Sequence, residues 1–304
     1  MILACGEALI DMLPRRTEAG EDAFAPYAGG AVFNTAIALG RLGAPAAFFS
    51  GLSSDLFGEL LREKLAGAKV DTSPAHVSPR PTTLAFVRLT NGQASYTFYD
   101  ENTAGRMLHP EDLPEVEADA LFFGGISLVG EPCGAAYEAL QRREYEARVT
   151  MIDPNIRQSF ITDEAAYRDR IARMMARADV VKLSDEDLHW LMGPGETADH
   201  AAKLRAAGTS VVCITEGAKG ATGYAEGLEV FVPANKVAVA DTVGAGDTFN
   251  AGVLASLHQS GALTKDRLAR IDEETLRDAL SLGVRAAAVT VSRPGANPPW
   301  AEEL

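Results

Sequence analysis

Short apolar runs recur along this chain, and most are followed by a segment whose apolar positions repeat at helical spacing. Ile2–Cys5, 46–51, 120–123, Val149–Asp153, 180–183 and 210–214 read as buried strands. Helices are predicted from the pair Gly29-Gly30 to a cap at Gly43, and over 133–146, 167–177, 249–259 and 273–288. In the first, Phe33, Ile37, Ala38 and Leu42 share one face; in the last, Leu276, Leu280 and Val284 do. Strands alternating with helices fold as an α/β unit with a mostly parallel sheet. The stretch 235–240 alternates polar and apolar and reads as a further strand, leading into a glycine-rich segment.

One region has a different texture. Residues 82–89 alternate, Asn91-Gly92 supplies a hairpin turn, and 94–99 alternate again. A hairpin inside a strand–helix series does not belong in the parallel sheet. With strands around 11–16 and 24–27 it forms a small second sheet, whose Phe86, Tyr96, Phe98 and Tyr99 need something to cover. No linker or repeat interrupts the chain, so one domain over 1–304 is expected, with small-sheet strands at about 11–27 and 82–100 inserted in its N-terminal half.

Composition narrows the partners. A chain of 304 residues can bury a large core. Its formal net charge is −14, and no Lys/Arg run could track a phosphodiester backbone, so nucleic acid is not an expected partner. Cys5, Cys133 and Cys213 are far apart and odd in number, which fits a reducing compartment. The five histidines show no ligand spacing. No apolar run reaches membrane-spanning length, and the segment 1–6 is too short and lacks the basic start of a signal peptide. A soluble cytoplasmic protein is expected.

The chemistry concentrates at Asp241-Thr242-Val243-Gly244-Ala245-Gly246-Asp247 and the helix that follows. Gly244 and Gly246 let a backbone approach a ligand closely, and N–H groups at a helix N-terminus suit an anion. A carboxylate at Asp247 would repel a phosphate there, unless it takes a proton from whatever attacks that phosphate. A dinucleotide fingerprint would need a third glycine where Phe249 stands, and a Walker A loop needs Gly-Lys-Ser/Thr. An ordinary turn with Asp247 as helix cap remains open. Asp11 sits in an otherwise apolar segment, either at a solvent-facing strand end or as an acceptor for substrate hydroxyls. Asn34 lies in the first turn after Gly29-Gly30, where an amide can donate to and accept from a polyol. Asp153, Asn155 and Arg157 follow a buried strand, where open α/β sheets place ligands. Ser184 caps a helix whose first turn is acidic. Thr215 to Gly220 closes a strand.

The motif D-T-x-G-A-G-D at Asp241–Asp247 resembles the C-terminal signature of the ribokinase-like (PfkB) carbohydrate kinases. Gly29, Gly30, Asn34, Gly43, Gly51 and Gly58 resemble their N-terminal signature. Glu101-Asn102-Thr103-Ala104-Gly105-Arg106 and Asp153-Pro154-Asn155-Ile156-Arg157 are similar to fructokinases. The resemblance implies a three-layer sandwich with a central mostly parallel sheet and the small sheet as a lid over the sugar, which in the family often makes a homodimer contact. It implies transfer of the γ-phosphate of ATP, with Mg²⁺, to a primary hydroxyl of a small sugar, fructose first. Asp247 would be the base, and the N–H groups of Gly244, Ala245 and Gly246 the anion hole. Asp11, Gly29, Gly30, Asn34, Phe98, Asn102, Arg106, Asn155 and Arg157 would surround the sugar. Lys182, Ser184, Thr215, Gly217, Gly220, Gly244 and Gly246 would meet the nucleotide. The family's Asn-x-x-Glu element is Ser184 and Asp187 here, so Asp187 would reach Mg²⁺ through water. Backbone near Asp241 and Val243 would hold a monovalent cation such as K⁺. A 2-keto-3-deoxygluconate kinase would turn Arg157 to a carboxylate, and a non-catalytic sugar or nucleotide sensor would keep the fold alone.

Overall fold

Strands with apolar side chains on both faces need cover on both sides. The structure, a computed structural model, describes residues 1–90 and 93–304. The turn expected at Asn91-Gly92 lies outside the described residues, as do the side chains of 88–90 and 93–96, Tyr96 among them. The strands are β1 (Ile2–Cys5), β2 (Leu9–Arg16), β3 (Asp22–Gly29), β4 (Ala46–Phe49), β5 (Gly51–Ser53), β6 (Val70–Asp71), β7 (His76–Ser78), β8 (Leu84–Thr90), β9 (Gln93–Tyr99), β10 (Ala120–Gly124), β11 (Val149–Asp153), β12 (Val180–Ser184), β13 (Val211–Thr215), β14 (Gly220–Ala225) and β15 (Leu228–Pro233). The helices are α1 (Ala31–Arg41), α2 (Leu56–Gly67), α3 (Cys133–Glu144), α4 (Glu164–Arg177), α5 (Asp185–Met192), α6 (Thr197–Ala206), α7 (Ala245–Gln259), α8 (Lys265–Leu268) and α9 (Glu273–Val291).

The large sheet runs β15-β14-β13-β12-β11-β10-β1-β4-β6, parallel except for the antiparallel edge β13-β14-β15. Alternation sorts its side chains into two cores. Ile2, Ala4, Phe48, Met151 and Val180 pack with α1, α7 and α9, while Leu3, Cys5, Phe49, Ile152 and Val181 pack with α3, α4 and α6. That is the three-layer sandwich. The chain leaves β1 for β4 and returns to β10 on the other side, so the strand order reverses between β1 and β10, the switch point where such sheets bind ligands.

The small sheet runs β3-β2-β8-β9; β2 begins two residues before the expected strand, and β3 extends the expected one at both ends. Asp11, Ala85 and Phe98 are paired across it and face one side, while Phe86 and Tyr99 face the other. Phe98 meets Phe160 edge-on at 4.5 Å, which joins the small sheet to the loop beyond β11. Among the described residues no helix is long and apolar enough to cross a membrane.

Two expectations need correction. The stretch 235–240 is not a strand. β15 is the sheet edge, and from its end the chain crosses back towards the strand ends, where Ala240 and Asp241 donate their N–H groups to the Val291 carbonyl at the end of α9. Its alternation serves a cleft rather than a ladder, and Val237 and Val239 line that cleft. The run 46–51 is two strands, with β5 leaving the large sheet to pair with β7.

α7 also starts earlier than its apolar spacing indicates, at Ala245, and is buried nearly all round. It packs against α9 through Gly252, where a Cβ would stand 2.6 Å from the Gly283 Cα. No flexible side chain can move aside there. Gly252→Val should therefore destabilise the protein by about 2 kcal/mol, read as a lower denaturation midpoint with an unchanged slope.

Candidate active site

The strand ends of β1, β10, β11, β12 and β13 and the first turn of α7 face one region. Gly244 caps α7 in a left-handed conformation, φ 79°, where a Cβ would also come 2.8 Å from Ala296. That turn sets the first peptide groups of α7 pointing outward. The Ala245 N–H makes only a long 3.4 Å bond to the Thr242 carbonyl. An unsatisfied helix start of this kind attracts anions. Asp241 holds the loop in place, its carboxylate accepting the N–H groups of Val243 at 3.1 Å and Gly295 at 3.0 Å.

Asp247, in the first turn of α7, is 6 % exposed. Asn34 Nδ2 donates to its Oδ2 at 2.9 Å and Asn155 Nδ2 to its Oδ1 at 3.4 Å, while Thr35 Oγ1 donates to its carbonyl at 3.2 Å. Two segments distant in sequence thus converge on one carboxylate. Burial pushes its pKa up to about 7; the Asn34 amide opposes this, Asp153 adds to it, Lys182 opposes and Glu7 adds. A carboxylate that is half ionised near neutrality can take a proton and release it again.

Asp11 is half-buried on β2, with no hydrogen-bond partner among the described residues, and burial raises its pKa to about 6. It lies over Gly29, where a Cβ would come 2.4 Å from its Oδ2. Gly30 caps α1. Gly30, Asn34 and Asp247 form a polar floor, whereas Asp11 and Gly29 belong to the small sheet itself.

On the other side of α7 lies a cleft of about 510 Å³. Thr215, Gly217, Gly220 and Gly246 line it, with apolar walls from Val237, Val239, Phe249, Val284 and Ala287. A flat apolar ring fits such walls, with its charged tail at the α7 N-terminus. Lys182 is buried between this cleft and Asp153; its Nζ donates to Asp153 Oδ2 at 2.9 Å and would lie 3.2 Å from a Cβ on Gly246.

The other expected residues make the following contacts. Ser184 caps α5 by accepting the Asp187 N–H at 3.0 Å. The pKa of Asp187 is raised by burial and by Asp153. Arg157 is exposed, with no carboxylate among the described residues within ion-pair distance; its Nη1 donates to the Ile156 carbonyl at 3.0 Å. Arg106 is committed elsewhere, to the Asp100 carboxylate and to the Glu131 carbonyl at 2.6 Å. Asn102 is exposed in the turn after β9, at φ 60°.

Glu7 is the residue that pattern reading passes over. Its half-buried carboxylate accepts the Ala31 N–H at 2.8 Å and the Ser127 N–H at 3.2 Å, which ties the start of α1 to the turn after β10. Burial raises its pKa. The one sign in the chain is an acid placed directly after a fully buried strand.

Comparison with known proteins agrees with this geometry. The pfkB family carbohydrate kinase profile matches residues 1–303. A fructokinase of Rhizobium leguminosarum bv. trifolii is 56 % identical over 280 residues, 91 % of this chain and 86 % of that protein. The crystal structure of a fructokinase with bound ATP from Xylella fastidiosa superposes with a TM-score of 0.87 at 30 % identity, over 97 % of this chain and 93 % of that one. The Vibrio cholerae O395 fructokinase, in its fructose-, ADP- and calcium-bound form, gives a TM-score of 0.83 at 27 % identity, over 97 % and 94 %; a double mutant of it is described with fructose, ADP and a potassium ion. Matched along nearly its whole length, this chain belongs to the pfkB family of carbohydrate kinases.

Proposed function

We propose that the protein is a fructokinase that moves the γ-phosphate of ATP to a primary hydroxyl of fructose. The observation that carries this reading is Asp247, a buried carboxylate held by two amides at the start of α7, between a polar floor and an apolar-walled cleft. The likeness to the Rhizobium and Vibrio fructokinases supports the choice of sugar.

The sugar would lie on Gly30 and Asn34, under Asp11, Phe98 and the rest of the small sheet, which we read as a lid inserted in a single α/β domain. The half-buried Asp11 gains an acceptor role that it otherwise lacks. Asp247 takes the hydroxyl proton as that oxygen forms its bond to phosphorus and the bond to the ADP oxygen breaks. The N–H groups at Gly244, Ala245 and Gly246 face the charge on the transferring group, which is where most of the rate arises in phosphoryl transfer. Lys182, Thr215, Gly217 and Gly220 would contact the nucleotide. No group of acidic, histidine or cysteine side chains among the described residues could hold a metal unaided. Mg²⁺ would therefore arrive on the phosphates, with Asp187 reaching it through water, and would neutralise phosphate charge. Both carboxylate oxygens of Asp241 are taken by N–H groups, so K⁺ near Asp241 and Val243 would be held by carbonyl oxygens. Three unpaired buried thiols fit the cytoplasm.

A 2-keto-3-deoxygluconate kinase is the second reading, favoured by the unpaired Arg157. Coupled ADP release with ATP·Mg²⁺ against fructose, 2-keto-3-deoxygluconate, ribose, tagatose and adenosine separates the two. Turnover with fructose alone is expected; turnover only with the keto-acid would replace the reading, and none with any would leave a sensor. Asp247→Ala should keep ATP affinity within a few-fold while lowering kcat by about 10³-fold, and near-normal turnover would remove Asp247 as the base. The face of the lid opposite Asp11 stacks Phe24, Phe86 and Tyr99 edge-on and leaves Phe24 48 % and Tyr99 59 % exposed, a surface suited to a second copy of the chain. Sedimentation should give a dimer that Phe24→Glu converts to monomer; a monomeric parent protein would reject this contact.

A further inference from the structure

Asp153 closes β11 and is 1 % exposed. Its carboxylate collects three donors from three elements. Oδ1 accepts the Asn155 N–H at 3.1 Å; Oδ2 accepts Lys182 Nζ at 2.9 Å and Asn250 Nδ2 at 2.7 Å. Each of these bears on Asp247. The bond to Oδ1 closes a tight turn that keeps Asn155 at φ 45°, a left-handed conformation that asparagine tolerates. That turn aims the Asn155 amide at Asp247 Oδ1. Asn250 lies one helical turn beyond Asp247 on α7, so its bond pins the helix against the strand ends. Lys182 brings a positive charge up to Gly246.

We infer that Asp153 is a positioning residue for phosphoryl transfer: through Asn155, Asn250 and Lys182 it fixes where Asp247 stands and which charges face it. This rests on the reading of Asp247 as the base. The charged groups that act most on Asp247 come from three elements: Asp153 on β11, Lys182 on β12 and Glu7 after β1; α1 contributes the neutral Asn34 amide. Asp153 and Glu7 make Asp247 hold its proton more tightly, and Lys182 and Asn34 make it hold it less tightly. Replacing Asp153 by asparagine removes a negative charge and leaves Lys182 unopposed. Both changes favour ionised Asp247.

The test is kcat and kcat/KM for the sugar against pH, for the parent protein, Asp153→Asn and Lys182→Met, in shared buffers so that the nucleotide's own ionisation cancels. Asp247 must be ionised to accept a proton, so parent activity should fall below about pH 7. Asp153→Asn should lower plateau kcat by about tenfold or more and move the acid limb down by roughly one unit. Lys182→Met should move that limb up. A loss of kcat with the limb unmoved, limbs moving in the same direction, or a parent-like profile would overturn the inference. Should Asp153→Asn not fold, Asn155→Gly keeps the left-handed turn and removes the amide. It should lower kcat and raise the limb, and an unchanged profile would equally overturn the inference. Asp247→Ala is measured alongside: if it still turns over, the base assignment fails, and that result is read separately.

Discussion

A carboxylate held out of water among other acids is unstable unless something offsets its charge, and the structure around Asp247 follows from that constraint. Asn34 and Asn155 donate to it, the open peptide groups of α7 surround its helix start, and Lys182 stands nearby. Asp153 in turn neutralises Lys182. The result is a balance of buried charges in which no member can change alone. In the proposed role of base, a carboxylate too well solvated would hold a proton loosely and pull weakly; one with no donors would stay protonated and idle. The amides set the middle course.

The fold makes this balance geometrically available. The reversal of strand order between β1 and β10 opens a crevice, and α7 enters it as a helix buried on nearly every side. A helix in that position cannot tilt, because Gly252 and Gly283 seat it directly on α9 and Asn250 fastens it to β11. Glu7 performs the matching task for α1 by accepting its Ala31 N–H group. Both helices are thus fastened by acids close to strand ends, and the two residues they present, Asn34 and Asp247, meet at 2.9 Å.

Much of this could be read in the chain. The βα rhythm, the extra hairpin and the two glycine-rich helix starts are local patterns, and Asp247 stood out because an acid beside an anion site demands a reason. What escaped was non-local. Asn34 and Asp247 are 213 positions apart, and nothing in either neighbourhood says that they touch. Asp153 reads as one polar residue at a strand end, though it ties together three elements. Alternation at 235–240 misled because an extended segment lining a cleft and a strand in a ladder share the same period. The Asp100 carboxylate and the Glu131 carbonyl that Arg106 engages were likewise not legible, the second being 25 positions away.

The cleft beside α7 takes its walls from 215–221, 234–249 and 284–291, all in the last third of the chain. On the other side, the α1 part of the floor comes from 30–34, near the chain's start. During synthesis from the N-terminus this part emerges early, but the walls cannot close until α9 has left the ribosome. An unfinished chain that lacks α9 therefore has no closed cleft and nothing for α7 to pack against. The cleft and the floor thus come together only in a late event, and products truncated before α9 would lack the cleft altogether.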